Sequence, residues 1–188
     1  MRKSSALLFA LLCSATLAFA QIPTSGNIFV GYSFERSNWS GLTGNSSGTN
    51  LNGWEASLEG KVFPHLGIVT DFGSHYGSES FTALTPNGPI NGSVTGHQWE
   101  VLFGPRVSVS VGKLTPFAEA MFGVAHIHNG GDFFDTGNTT FAEALGGGVD
   151  YRLIRILAVR VEGDYLHTHF FSTTQNNFRL STGIVFRF

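Results

Sequence analysis

The sequence predicts an all-β fold: an eight-stranded antiparallel up-and-down transmembrane β-barrel with a filled polar interior. Three observations predict it. Glycine (24 residues) and phenylalanine (18) are abundant while only 13% of residues are charged, a balance that favours sheet and loop over helix. Stretches of alternating polarity recur eight times. Each has a length close to the roughly 9–11 residues of a tilted bilayer-spanning strand, well above the usual strand of about 5–6. The links between them alternate between long and short, as in a barrel with long loops on one side of a membrane and tight turns on the other.

In chain order the predicted strands are Asn27–Arg36, Gly53–Val62, Leu66–Tyr76, His97–Val107, Thr115–Ala125, Thr140–Tyr151, Ile156–His167 and Phe178–Phe188. The second alternates Trp54, Ala56, Leu58 and Val62 against Glu55, Ser57, Glu59 and Lys61. The fourth sets Trp99, Val101, Phe103 and Val107 against Gln98, Glu100 and Arg106. The seventh gathers Arg160, Glu162 and Asp164 on one face. The eighth, "FRLSTGIVFRF", alternates aromatic and aliphatic residues with Arg179 and Arg187. Long links rich in Gly, Asn, Ser and Thr are expected at 37–52, 77–96, 126–139 and 168–177, and short ones at 63–65, 108–114 and 152–155.

A magnitude decides which face is outside. A cationic side chain on the lipid face near the bilayer midplane costs on the order of 2–4 kcal/mol, an acidic one less. Glu55, Glu59 and Lys61 share one face of the second strand, so that face turns inward and the apolar one meets lipid. A slip of one residue would invert the arrangement. The predicted interior charge network is Glu55, Glu59, Lys61, Asp71, Glu100, Arg106, Glu119, Glu143, Arg160, Glu162, Asp164, Arg179 and Arg187. Two strands fit less cleanly. Glu143 inside places Asp150 on the lipid parity, and the fifth strand turns Ala118 and Ala120 outward with Phe117 inward.

The first twenty residues read as a secretory signal peptide. Arg2 and Lys3 precede an apolar run, Ala6–Ala20, too short to span a bilayer, and Ala18-Phe19-Ala20 is a small-x-small cleavage site. Residues 21–188 then form one barrel domain. Cys13 leaves with the signal, so no disulfide stabilises the remainder. Removing Arg2 and Lys3 from eleven basic side chains leaves nine against thirteen acidic ones, which argues against a nucleic-acid partner.

The ordered segments "FGPRVS" (103–108), "KLTPFAEA" (113–120), "GGGVDYRL" (146–153) and the terminal "LSTGIVFRF" resemble the small eight-stranded outer-membrane barrels, the OmpA-like transmembrane domains and OmpX-like proteins. The resemblance implies residence in the outer membrane of a Gram-negative-type bacterium, a monomer, and contact with outer-membrane lipid and lipopolysaccharide. It also implies a C-terminal signal read by the outer-membrane assembly machinery, carried here by Leu180, Ile184, Phe186 and Phe188. The same four residues are equally the lipid face of a strand. The chain stops at the last strand, so a peptidoglycan-binding domain is not expected.

Candidate chemistry is sparse. The interior charges form either a paired plug or a gate, and pairing is the default for ionisable groups within a membrane. His126/His128 and His167/His169 are i, i+2 pairs of metal-ligand type, but they fall on outward parities of strands separated by a third, and read as interfacial residues. Asp135-Thr136-Gly137 lacks the second aspartate an acid protease needs. No Ser/His/acid set stands at a defined spacing, and His75-Tyr76-Gly77-Ser78 does not match the His-x-Ser-Asn of lipid A deacylases. No catalytic residue, cofactor or metal is therefore expected. Trp39, Phe81, Phe133 and Phe134 are aromatic residues in loops expected to face outward, candidates for contact with an extracellular ligand or for the membrane-edge girdle. The function these features support is structural or adhesive surface binding through the loops; the alternatives are a narrow gated pore and a lipid A-modifying enzyme.

Overall fold

In the computed structural model, residues 25–37, 49–85, 88–131, 134–170 and 174–188 are described, with backbone alone at 79–85, 90, 91, 94, 131, 134 and 135. Eight strands follow one another: β1 (Gly26–Ser37), β2 (Thr49–Phe63), β3 (Leu66–Thr85), β4 (Gly88–Ser108), β5 (Leu114–Gly131), β6 (Phe134–Ile154), β7 (Leu157–Thr168) and β8 (Gln175–Arg187). Each pairs antiparallel with the next, and β8 pairs with β1, so the sheet closes into a barrel without an edge.

Closure fixes the geometry. The Phe103–Phe122 and Arg106–Glu119 pairs set Pro105 level with Ala120, so following the register once round from Gly26, through Gly60, Ile68, Pro105, Ala120, Leu145, Tyr165 and Phe178, returns to β1 at Arg36, ten residues from the start. With about 3.3 Å of rise per residue and about 4.8 Å between strands, that stagger tilts the strands by roughly 40°. The short connections, 64–65, 109–113 and 155–156, lie at one end together with Gly26 and Phe188, whose backbone amides each bond the other's carbonyl. Gly112, at φ 63°, makes the turn before β5.

The barrel is inside out relative to a soluble protein. Arg179 is 0% exposed, whereas Leu145 is 67% exposed. Ile28, Val30, Leu58, Ile68, Phe72, Val161 and Ile184 face outward, and the alternate positions carrying charges face the lumen. In water this exterior would be a contiguous apolar surface far larger than soluble proteins show; a bilayer is the solvent that matches it.

Two corrections to the sequence reading follow. Residues 77–85, 88–96, 126–131 and 134–139 are strand, not loop. The β3–β4 ladder continues to the Thr85–Gly88 pair and the β5–β6 ladder to Gly131–Phe134. Alternation ceases to mark strands there because neither face meets lipid: Ser78, Ser93 and Thr95 point outward above the apolar band. Second, β6 has the opposite parity. Asp150 is buried in the lumen and Glu143 is exposed on the exterior. Bulk decides this: Phe141, Leu145, Val149 and Tyr151 share Glu143's face, while Ala142, Ala144, Gly146 and Gly148 on the other face leave room for the lumen's side chains. Glu143 stands eleven positions above Ile154, at the far edge of an apolar band about 25 Å tall, where an acidic group costs little.

Candidate functional site

The lumen is organised about three fully buried arginines, and each collects carboxylates from several strands. Arg179 on β8 is the hub. Its Nη2 lies 2.9 Å from Asp164 (β7), its Nη1 2.8 Å from Asp71 (β3) and 3.3 Å from Glu100 (β4), and its Nε 3.4 Å from Glu55 (β2). Arg106 on β4 reaches Glu119 on β5, Glu59 on β2 at 3.5 Å and Glu162 on β7 at 3.8 Å. Arg160 on β7 takes Asp150 with two nitrogens, at 2.7 and 3.1 Å, and touches Glu162 at 3.4 Å. Between these two arginines lies the Phe117 ring, 4.4 Å from the Arg106 guanidinium and 4.6 Å from that of Arg160. The planar guanidinium serves both contacts: its edge satisfies carboxylates and its faces stack on an aromatic ring.

Of the residues singled out from sequence, Glu55, Glu59, Asp71, Glu100, Arg106, Glu119, Arg160, Glu162, Asp164 and Arg179 are thus brought together as buried groups in the lumen. Lys61 and Arg187 lie at the short-turn mouth, around a cavity of about 200 Å³ that Glu59, Arg106, Asp150 and Arg160 also line. Lys61 pairs there with Glu59 and donates to Ser108. Glu143 is outside, beside Phe122, Leu145, Tyr165 and His167 on a groove of about 710 Å³. Glu55, Glu162 and Asp164 also converge, each offering an oxygen within 4.8 Å of the others.

Sequence reasoning missed the layer beyond Arg179. Glu35 (β1), His75 (β3) and Gln98 (β4) are buried there. Gln98 Nε2 donates to both Glu35 oxygens, at 3.2 and 3.0 Å, and Asn177 Nδ2 donates to Glu35 Oε1 at 2.8 Å. His75 Nδ1 is 3.3 Å from Glu100 and 3.7 Å from Glu35. The signal was present: His75 shares its parity with Asp71, and Glu35 lies opposite the apolar Ile28, Val30, Tyr32 and Phe34 set. Along the β4–β7 wall the filling is apolar, from Leu102, Met121, Ile127, Ala142 and Leu166, joined by Phe170.

The outer rim carries amphipathic rings where lipid gives way to water. Tyr76 and His97 stack with centroids 4.4 Å apart, and Trp99 stacks on His126 at 5.4 Å. His126 Nδ1 contacts Thr139 at 2.7 Å, His167 contacts Asn176 at 2.8 Å, and His169 contacts Thr174 at 2.9 Å. The two histidine pairs stay on opposite sides of β6, and neither joins a cluster of three metal-ligating groups among the described residues. Trp39 and Phe133 lie outside the described residues; Phe81 and Phe134 lie on the β3 and β6 extensions, where only backbone is described. Leu180, Ile184, Phe186 and Phe188 all face the exterior.

The chain superposes on Neisserial surface protein A with a TM-score of 0.64 over 87% of this chain and 97% of that one, at 11% identity. The fold is that of the small outer-membrane barrels. Ail, the attachment invasion locus protein of Yersinia pestis, solved in complex with the heparin analogue sucrose octasulfate, matches this barrel at a TM-score of 0.60 and 13% identity, covering 86% of this chain and 98% of that one. The outer membrane protein OprG of Pseudomonas aeruginosa gives 0.54 at 11% identity, over 87% and 95%. No protein-family model and no curated protein matches the sequence. At these identities the barrels share architecture, and this chain's lumen and rim have to be read from its own residues.

Proposed function

We propose that this chain resides in the outer membrane of a Gram-negative-type bacterium as a monomeric barrel with a structural plug, and acts at the cell surface by adhesive binding through its extended hairpins. The observation that carries this reading is the continuation of β3–β4 and β5–β6 as paired ladders beyond the apolar band. Nine residues of β3 follow Tyr76, enough to lift a hairpin roughly 20 Å above the membrane edge at the tilt derived above. Backbone pairing that runs out to Thr85–Gly88 and Gly131–Phe134 lowers the ordering cost of binding. The ion-paired lumen speaks against a pore. In the other direction, an exterior of this polarity supports contact with lipid and lipopolysaccharide, and the outward set Leu180, Ile184, Phe186 and Phe188 suits β8 for recognition by the assembly machinery.

The ligand class differs from the polysulfated one seen on Ail. Segments 37–48, 77–96, 126–139 and 168–177 contain no lysine or arginine and are rich in Asn, Ser, Thr and Gly, with aromatic and some aliphatic residues and a few acids and histidines. Such a surface suits uncharged, hydroxyl-rich partners such as neutral glycans, which stack on aromatic rings and accept hydrogen bonds from amides and hydroxyls. The test is a barrel in which Ser78–Thr95 is replaced by Asn-Gly, displayed in a heterologous outer membrane. Glycan-array and cell binding are expected to be lost with the barrel still assembled, and sucrose octasulfate is expected not to compete. Undiminished binding by the trimmed barrel would sink the proposal.

A further inference from the structure

We propose that His75 Nδ1, together with the Glu35 and Glu100 carboxylates, holds a divalent transition metal of the zinc class inside the barrel. A chain of hydrogen bonds runs from the His75 ring to Glu55. His75 Nε2 lies 2.9 Å from Ser33 Oγ, Ser33 Oγ lies 2.9 Å from Ser181 Oγ, and Ser181 Oγ contacts Glu55 Oε2. A carboxylate only accepts, so the Ser181 hydroxyl donates to Glu55. These contacts hold the Nε2 edge of the His75 ring against Ser33. The other ring nitrogen, Nδ1, faces the Glu100 and Glu35 carboxylates.

That nitrogen is wholly buried and, with Glu100 Oε2, has no hydrogen-bond partner among the described residues. A cation among these three groups, a proton on Nδ1 or a metal ion, balances the two buried carboxylates. The spacing fits a metal. With bonds of about 2.0–2.1 Å, the donors of a tetrahedral zinc ion stand about 3.3–3.5 Å apart; here Nδ1 is 3.3 Å from Glu100 Oε1 and 3.7 Å from Glu35 Oε2.

Each donor is also held from behind, as metal ligands are. Ser33 fixes the His75 ring, Gln98 and Asn177 grip Glu35, and Arg179 steadies Glu100. One imidazole with two carboxylates suits zinc and its first-row neighbours better than calcium or magnesium, which take oxygen. Charge points the same way. Nine carboxylates are buried among the described residues (Glu35, Glu55, Glu59, Asp71, Glu100, Glu119, Asp150, Glu162 and Asp164) against three buried arginines. Three protein donors leave a fourth position for water.

The test refolds the barrel into detergent with zinc present, dialyses it, and measures bound metal by mass spectrometry, with folding followed by circular dichroism. About one zinc per chain is expected in the wild type and in the His126→Ala/His128→Ala variant, whose side chains lie on the outer rim, and less than about a tenth of that in His75→Ala and Glu100→Gln. Zinc-edge X-ray absorption of the wild type gives an answer even if those two variants do not fold. One imidazole with carboxylate oxygens is expected. A metal-free wild type would overturn the proposal. Zinc retained by His75→Ala would also overturn it, as would a spectrum of several imidazoles, which belongs to the rim, or of oxygens alone, which belongs to the Glu55–Glu162–Asp164 convergence.

Discussion

Arg160 grips Asp150 with two nitrogens, Nε on Oδ1 at 2.7 Å and Nη2 on Oδ2 at 3.1 Å, across neighbouring strands β7 and β6. Both side chains are buried. Removing one partner of such a pair strands the other charge, at a cost of roughly 3–5 kcal/mol. Asp150→Ala is therefore expected to lose about that much stability in urea titrations of the lipid-reconstituted barrel. Glu143→Gln, on the exterior, is expected to stay within about 0.5 kcal/mol of wild type. Equal losses in the two variants would mean that β6 has the other parity.

Arg179 carries more. Four carboxylates from four strands converge on its guanidinium. Arg179→Met leaves them facing one another without a cation and is expected to destabilise the barrel by more than the Asp150 variant, on the order of 5 kcal/mol or beyond. Arg179→Lys supplies charge without the planar fork and is expected to recover only part of the loss. The check is unfolding of the three proteins side by side; full rescue by lysine would show that charge alone matters.

Gly73 faces the lumen next to the Glu100 carboxylate, and a methyl group added there would fall on that carboxylate's oxygen. Gly73→Ala must push Glu100 off Arg179 and His75, and is expected to cost about 1–3 kcal/mol. A Glu100→Gln background, in which the displaced group is already neutral, is expected to show a smaller penalty for the same substitution. Additive losses in the double variant would separate the two residues.

The filled lumen predicts electrical silence. In planar bilayers the reconstituted barrel is expected to give no steady current, because displacing the guanidinium layers breaks buried pairs at several kcal/mol each. A persistent large conductance in wild-type protein would contradict the packed interior.

The lipid face is tested by Val30→Arg, an exposed residue of the apolar band. Near the midplane such a cation is expected to cost about 2–4 kcal/mol, read as a lowered denaturation midpoint in bilayers. In Ser78→Arg, above the band, stability is expected to be unchanged.

Much of this arrangement was legible in the sequence wherever two or more charges share a parity. Glu55 with Glu59 orients β2, and Arg160 with Glu162 and Asp164 orients β7, because turning several charges to lipid is prohibitive. On β6 a single carboxylate pulled each way, and the charge criterion favoured Glu143. The deciding quantity there is volume: alanines and glycines line the side on which Arg160, Phe117 and Glu162 need space, and that is a property of the neighbouring strands. The hairpin extensions were illegible for a related reason. Above the membrane both faces are wet, so period-two alternation, which reports a difference between the faces, has nothing to report. The His75 layer was missed because its members lie far apart in sequence and meet only through barrel closure.

The ladder between β1 and β8 has a temporal meaning as well as a spatial one. Its two strands come from opposite ends of the sequence, so the sheet cannot close until β8 has been made. Until then the carboxylates that converge on Arg179 lack their counter-ion, and the outward-facing apolar residues lack their bilayer. The full set of strand pairs is complete only when that seam zips shut. Once shut, it offers no free strand from which fraying could begin, which favours slow, all-or-none loss of structure.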